Sequence, residues 1–178
     1  MIPLAQMRDY NSQIVTGGLP QSDTIYAAVL TANTNQIIPV PSTIGGALTS
    51  GTFQVNETVT QTGTGATGKL LVVPSGSPTV LVLGAVTGKP NNFGTWVGQT
   101  SEAIWTPSAL PVAPNSVLFS VSGSNDFYML FANQVIAIPA STGGASPELN
   151  PLIRNCAGKQ YVSLVSPANC NITMAFYQ

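Results

Sequence analysis

The sequence contains no histidine and very few charged residues, and these absences exclude most kinds of catalytic and nucleic-acid-binding site. Of its 178 residues only 6% are Asp, Glu, Lys or Arg, against roughly 25% in an average soluble domain. Without histidine there is no Ser-His-Asp or Cys-His pair to activate a nucleophile. With a formal net charge of −1, there is no basic patch to neutralise nucleic-acid phosphates or to bind an anionic membrane. We therefore expect no enzymatic activity, no nucleic-acid partner and no membrane partner.

The remaining candidates for a catalytic site are weak. The carboxylates are widely separated along the chain and fall in different expected loops: Asp9, Asp23, Glu57, Glu102, Asp126 and Glu148. No motif requires any two of them to meet as the acid pair of a glycosidase. Residues 63–69 (GTGATGK) are similar to a phosphate-binding loop, but they lack its spacing and the Ser or Thr after the lysine. We interpret them as a tight β-turn in which glycine tolerates positive φ, and we predict no catalytic and no cofactor-binding residue.

Cysteine is also scarce, with Cys156 and Cys170 as the only two. Two thiols without histidine are too few for a zinc site, which takes four Cys or His ligands. The two cysteines could bridge neighbouring strands, but synthesis in a cytoplasm favours free thiols. We expect two inert, partly buried cysteines and neither a metal nor another cofactor.

Long apolar runs are missing as well. No stretch of about 18 apolar residues is present, so we expect no membrane-spanning helix. The N-terminus lacks the basic start and apolar core of a signal peptide, so we expect the protein to be made in the cytoplasm of its cell.

Short segments rich in Thr and Val, separated by Gly and Pro, fill most of the chain. The 17 Gly and 14 Pro recur every few residues, a spacing typical of strands and turns and not of helices. The candidate strands are residues 24–30, 36–40, 52–61, 69–73, 79–86, 116–121, 127–131, 135–138, 161–165 and 172–177. Strands this short, with turns this regular, predict an all-β protein built as a sandwich or small barrel.

Composition divides the chain into an arm, a base domain and a module. Residues 1–19 are predicted to form an extended N-terminal arm, with a disordered tail as the alternative. Residues 45–107 are rich in Gly and Thr. We predict that they form a small β module inserted into a base β domain made of residues 20–44 and 108–178, because insertions succeed at exposed Gly/Pro-rich loops.

The module contains a weak internal repeat and both tryptophans. Residues 51–60 and 92–100 each carry an aromatic residue, a small spacer, a β-branched residue and a polar-Thr turn. Two such units predict a small barrel or sandwich with approximate two-fold symmetry. We expect Trp96 and Trp105 to fill its core, and the alternative is an exposed platform for a sugar.

Residues 53–61 (FQVNETVTQ) are followed in this module by residues 64–68 (TGATG). The pair resembles a segment of structural proteins of tailed bacteriophages, in which a Phe-x-x-Gly-Glu-Thr-Val-Thr-Gly turn precedes a Ser-Gly-Ala-Thr-Gly stretch and a hydrophobic strand. Asn56 stands in place of the usual glycine, and Asn also tolerates left-handed backbone. Segments of the flanks resemble phage head-associated proteins too: residues 30–36, 39–41, 138–140, 148–151 and 172–177.

The resemblance implies a virion component, and the class it favours is a capsid decoration (cement) protein. Such a protein binds the outer surface of an icosahedral phage capsid and stabilises contacts between its subunits. The implied partners are the major capsid protein and further copies of this chain, as a trimer or dimer. The implied location is the exterior of the capsid in the virion. The alternatives are a tail, fibre or baseplate component, or a β module that binds carbohydrate or a host surface.

Overall fold

In the computed structural model, which describes residues 24–122, 125–138 and 148–178, every regular element is a β-strand. The strands are β1 (Thr24–Leu30), β2 (Gln36–Pro39), β3 (Pro41–Ser50), β4 (Thr58–Gln61), β5 (Thr67–Val72), β6 (Val80–Thr87), β7 (Trp96–Gly98), β8 (Ile104–Pro107), β9 (Ser116–Val121), β10 (Tyr128–Ala132), β11 (Glu148–Leu149), β12 (Ile153–Asn155), β13 (Tyr161–Val165) and β14 (Cys170–Tyr177). The predicted all-β fold class is confirmed. The arm predicted at residues 1–19 lies outside the described residues. In the part of the chain that is described, no helix is long and apolar enough to cross a membrane.

Strands from the two ends of the described chain form two sheets, ordered β1-β14-β9-β12 and β11-β10-β13-β2. Alternate residues of β14 are buried, as expected of a strand with one face on a core. Both sheets contribute to one apolar cluster, so they pack face to face as a sandwich. The first sheet supplies Leu30, Val117, Phe119, Ile172, Met174 and Phe176, and the second supplies Ile38, Met129, Val162 and Leu164.

The strands between them close into a six-stranded barrel, in the order β3-β6-β5-β4-β7-β8. Strand β3 closes it by changing partner at Gly45-Gly46, because its first half pairs with β6 and its second half with β8. The backbones approach closely there: a Cβ on Gly46 would lie 2.2 Å from the Thr106 carbonyl oxygen. A residue without a side chain is therefore required at the point of closure.

The barrel has its own core, separate from that of the sandwich. Its largest members are Trp96 and Trp105, each 0% exposed. The prediction that the tryptophans fill a core is confirmed, and neither can serve as an exposed platform for a sugar.

The two segments of the internal repeat differ in the burial of their aromatic residues. The two segments meet as neighbours, since β4 pairs with β7. Phe53 is 3% exposed, whereas its counterpart Phe93 is 84% exposed. The expected two-fold equivalence therefore fails at this position.

Several predicted strand boundaries are wrong for local reasons. The strand expected over residues 52–61 covers only β4, because Asn56 has a φ of 65° and the Glu57 N–H bonds back to the Gln54 carbonyl as a turn. Residues 135–138 are not a strand. Strands β3, β7, β8, β11 and β12 were not expected over most of their lengths, because Gly, Pro or brevity hides their alternation.

Barrel and sandwich meet through a few hydrogen bonds. The Ala85 N–H donates to the Val40 carbonyl at 3.2 Å, and Gln160 Nε2 donates to the Val86 carbonyl at 3.3 Å. Thr43 and Val112 exchange two backbone hydrogen bonds of 2.9 and 2.8 Å. These bonds attach strands β3 and β6 of the barrel to the neighbouring segments of the chain.

Candidate interaction surface

The carboxylates that the sequence leaves as catalytic candidates are dispersed in the fold. Asp126 accepts a hydrogen bond of 2.6 Å from Asn150 Nδ2, and Glu148 forms an ion pair with Arg154. Glu102 is exposed in a turn of the barrel. Asp9 and Asp23 lie outside the described residues. Among the residues described, no three Cys, Asp or Glu side chains cluster closely enough to hold a metal ion.

Glu57 is the one buried carboxylate of the described chain, with 6% of its surface exposed. Its oxygens accept hydrogen bonds from the backbone N–H groups of Gln54 (2.6 Å), Thr100 (3.2 Å) and Ser101 (3.1 Å). The Ser101 hydroxyl donates as well, at 2.8 Å. The approach is close enough that a Cβ on Gly98 would lie 2.6 Å from Glu57 Oε2. Glu57 therefore joins the turn before β4 to the turn between β7 and β8.

These hydrogen bonds also set the ionisation of Glu57. Burial is the largest single influence and raises the pKa of this carboxyl. The hydrogen bonds from Gln54, Ser101 and Thr100 together outweigh burial and hold the pKa below its ordinary value of 4.5. A general acid at neutral pH needs a raised pKa. The carboxylate is thus a structural anion that backbone donors stabilise.

Gln61 has the same role at the other end of β4. It is 1% exposed, and its Nε2 donates to the carbonyls of Asn91 (2.6 Å) and Gly94 (2.9 Å). Its Oε1 accepts from the Asn91 N–H at 2.9 Å and from the Thr64 hydroxyl at 2.8 Å. All its hydrogen-bonding groups are used, so this buried amide fixes the loop between β6 and β7.

The motifs that resemble phage proteins thus have folding roles in this chain. Phe53 fills the barrel core, Asn56 adopts the left-handed conformation expected of it, and Glu57 holds a turn. Gly63 and Gly65 have φ of 81° and 68°, so the tight turn predicted over residues 63–69 is present in its first part, whereas residues 67–69 already belong to β5. These residues of the motifs therefore stabilise the barrel.

The loop fixed by Gln61 presents an exposed aromatic side chain, Phe93. The Asn91 side-chain oxygen accepts from the N–H groups of Phe93 (3.0 Å) and Gly94 (2.8 Å). The side chains of Asn91 and Gln61 therefore both fix the backbone that carries the Phe93 ring. An exposed aromatic on a preorganised loop is suited to anchor a contact with another protein.

A second exposed apolar feature lies on the outer side of the sheet β1-β14-β9-β12. Four apolar residues are in register across all four strands: Ile25, Ala175, Leu118 and Ile153. Ile25 and Ile153 are 66% and 56% exposed. We call this surface the outer sheet face, and its members are Ile25, Ala27, Val29, Asn171, Thr173, Ala175, Tyr177, Ser116, Leu118, Ser120, Ile153 and Asn155.

The chemistry of the outer sheet face differs from that of an ordinary solvated sheet. The solvent side of an antiparallel sheet is normally polar, but this one carries an apolar row and no charged member. Contiguous exposed apolar residues mark surfaces that contact other molecules. Sequence reasoning missed this surface because its row joins residues up to 150 positions apart. We take the outer sheet face as the candidate interaction surface, and Phe93 on the barrel as a separate candidate contact.

The cysteines belong to the core of the sandwich and are not members of the outer sheet face. Both are free and buried, more deeply than the partly buried state that the sequence suggested. Burial raises the pKa of the Cys156 thiol from 9.0 to about 11. The Cys156 thiol is therefore neutral at physiological pH and a poor nucleophile.

Comparisons of the chain with protein-family models, with curated proteins and with solved structures find no match.

Proposed function

We propose that this protein is a structural component of a phage virion, which binds the outer surface of an icosahedral capsid and stabilises contacts between capsid subunits. The observation that carries the proposal is the outer sheet face, a broad uncharged surface with an apolar row across four strands. The motif resemblance supplies the phage context. The major capsid protein is the proposed partner.

The low content of charged residues supports a protein that is bound to a partner over one that is free in solution. A soluble protein normally uses net charge against self-association, and this chain has a formal net charge of only −1. Contacts made by Thr, Asn and apolar groups act at short range and need close complementarity. An oligomer of this chain would hold several capsid subunits at once, so each contact need only be modest.

Binding to capsids that lack the protein tests the proposal. Purified protein is added to such capsids, and bound copies are counted by quantitative mass spectrometry, together with the temperature at which the particles release DNA. We expect hundreds of copies per particle and a higher release temperature. A dozen or fewer copies would favour the alternative of a tail, fibre or baseplate component.

Two variants locate the contact. Ile153→Lys places a charge in the apolar row, and we expect it to reduce occupancy of the capsid. Val135→Lys is the matched control, because Val135 is 64% exposed but lies outside the outer sheet face. Equal occupancy by the two variants would exclude this face as the docking surface.

The arm offers a separate test. An extended segment can add a strand to the edge of a partner's sheet. Removal of residues 1–19 is therefore expected to lower both occupancy and heat resistance. If both are unchanged, the arm has no clamping role.

A further inference from the structure

Strand β1 is a sheet edge without the features that normally protect one. In the described residues it pairs with β14 on one side and with no strand on the other. All seven of its residues are in register with β14, without a bulge, and its sequence TIYAAVL contains no charge and no proline. Natural edge strands usually carry at least one such feature, because an open edge is a template for another strand.

The direction of the backbone groups on β1 follows from its neighbour. The Asn171 carbonyl of β14 accepts from the Ser122 N–H on the β9 side, at 3.0 Å. In an antiparallel ladder the N–H and C=O of one residue point to the same side. Asn171 is paired with Val29, so the backbone groups of Val29, and by alternation those of Ala27 and Ile25, point away from the sheet.

We propose that β1 pairs antiparallel with β1 of a second copy of this chain, with Ala27 on the two-fold axis. In this register Ile25 lies opposite Val29 of the second copy, and these residues are 66% and 65% exposed. Tyr26, which is 38% exposed, lies opposite the small Ala28. The strand is therefore complementary to itself in both size and polarity, and no charge in it opposes the pairing.

The same geometry limits the strength of the pairing. Seven residues span roughly 24 Å, and two such edges bury much less than the roughly 800 Å² per partner of a standard interface. The Gln36 side chain also donates to the Val29 carbonyl, at 2.5 Å, and competes for that acceptor. The dimer is thus weak when dilute and forms where copies are crowded. A capsid surface provides such crowding, and to that extent the inference rests on the function proposed above.

A charge exchange tests the contact in the absence of capsid. Sedimentation velocity is recorded up to about 1 mM protein, a concentration that populates weak dimers. The wild type is expected to dimerise with concentration. Ile25→Lys/Val29→Lys sets like charges opposite each other, so we expect a roughly tenfold or larger rise in the dissociation constant. The same holds for Ile25→Glu/Val29→Glu, and a mixture of the two variants is expected to form a heterodimer.

The control for these variants is Ile153→Lys, on the opposite edge of the same sheet. It is expected to dimerise as the wild type does, although it is expected to bind capsids less well. Far-UV circular dichroism establishes that each variant is folded. Self-association that the lysine pair leaves unchanged would overturn the proposal.

A cysteine placed on the axis tests the register. Hydrogen-bonded partners in an antiparallel pair have Cα atoms about 5.5 Å apart, within the range that a disulfide spans. Ala27→Cys is expected to give a cross-linked dimer on mild oxidation, and Val29→Cys is not, because its two copies lie on opposite sides of the axis. The native cysteines are buried and do not compete.

The outcomes separate this inference from the capsid role. Capsid binding without a cross-link at Ala27→Cys, at about 1 mM protein, refutes the pairing and leaves the capsid role in place. A cross-link at Ala27→Cys without capsid binding supports the pairing and refutes the capsid role.

Discussion

Removal of the Glu57 carboxylate is the sharpest test of how the barrel is held together. Glu57→Ala leaves three backbone N–H groups and the Ser101 hydroxyl without their acceptor. An unsatisfied buried donor costs about 1–3 kcal/mol. Since the turn is close to the surface and water can reach some of these groups, we expect a total loss of about 2–4 kcal/mol in the free energy of unfolding. Glu57→Gln keeps one acceptor oxygen but loses the charge, and we expect about 1–2 kcal/mol.

The assay uses the only two tryptophans, which lie in the barrel core. Denaturant unfolding followed by tryptophan fluorescence therefore reports on the barrel, while far-UV circular dichroism reports on both halves. Glu102→Gln is the matched control, because Glu102 lies in the turn that Glu57 holds but is exposed. If Glu102→Gln costs as much as Glu57→Gln, the carboxylate cradle is not the cause.

The pH dependence of stability tests independently whether the ionised form of Glu57 stabilises the fold. The folded-state pKa of Glu57 lies below its ordinary value of 4.5, so the ionised form stabilises the fold. Its contribution is complete above about pH 4.5 and is lost as the pH falls through the folded-state pKa. The stability gap between wild type and Glu57→Gln is therefore expected to narrow in acid. A gap that stays constant from neutral pH into acid would refute the reasoning.

Two further substitutions and the behaviour of one buried thiol test the packing. Gly98→Ala places a Cβ 2.6 Å from the Glu57 carboxylate, and we expect a loss of about 2–4 kcal/mol by fluorescence-detected unfolding; an unchanged free energy of unfolding contradicts this. Gln61→Leu removes four hydrogen bonds and is expected to speed amide hydrogen exchange in the loop around Phe93, with unchanged exchange as the opposing result. Cys156 is expected to resist thiol reagents until the protein unfolds. The folded-state pKa of Cys156 is about 11, against an ordinary value of 9.0. The contribution of its neutral thiol to the stability of the fold is therefore present below pH 9.0 and is lost as the pH rises through 11. A series of thermal melts across this pH range measures the loss.

Local chemistry was the part of the fold that the sequence could predict. Alternation and turn residues identified an all-β chain, and the left-handed Asn56 and the turn at Gly63 and Gly65 follow from the conformational freedom of single residues. The sequence predicts a core position for the two tryptophans because it offers few other large side chains to fill one.

Features that depend on pairing between distant segments could not be predicted. Glu57 looked like an isolated acid, because its partner Ser101 is 44 positions away. The row across the outer sheet face needs the register of four strands before Ile25 and Ile153 can be placed together. Phe53 and Phe93 occupy equivalent positions of the internal repeat, yet Phe53 lies in the barrel core and Phe93 is exposed on a loop.

Closure of the barrel has a practical consequence for engineering. A closed barrel has no free edge, so the barrel strands offer no site for strand addition, and the open edges of the described chain belong to the sandwich. In the loop between β5 and β6, Gly76 has a φ of 70°, and a Cβ built on it meets no atom within 4 Å. A foreign peptide inserted at Gly76 would extend from a rigid support into open space. If the sandwich binds the capsid, the barrel can carry such peptides, and each particle displays them in many copies.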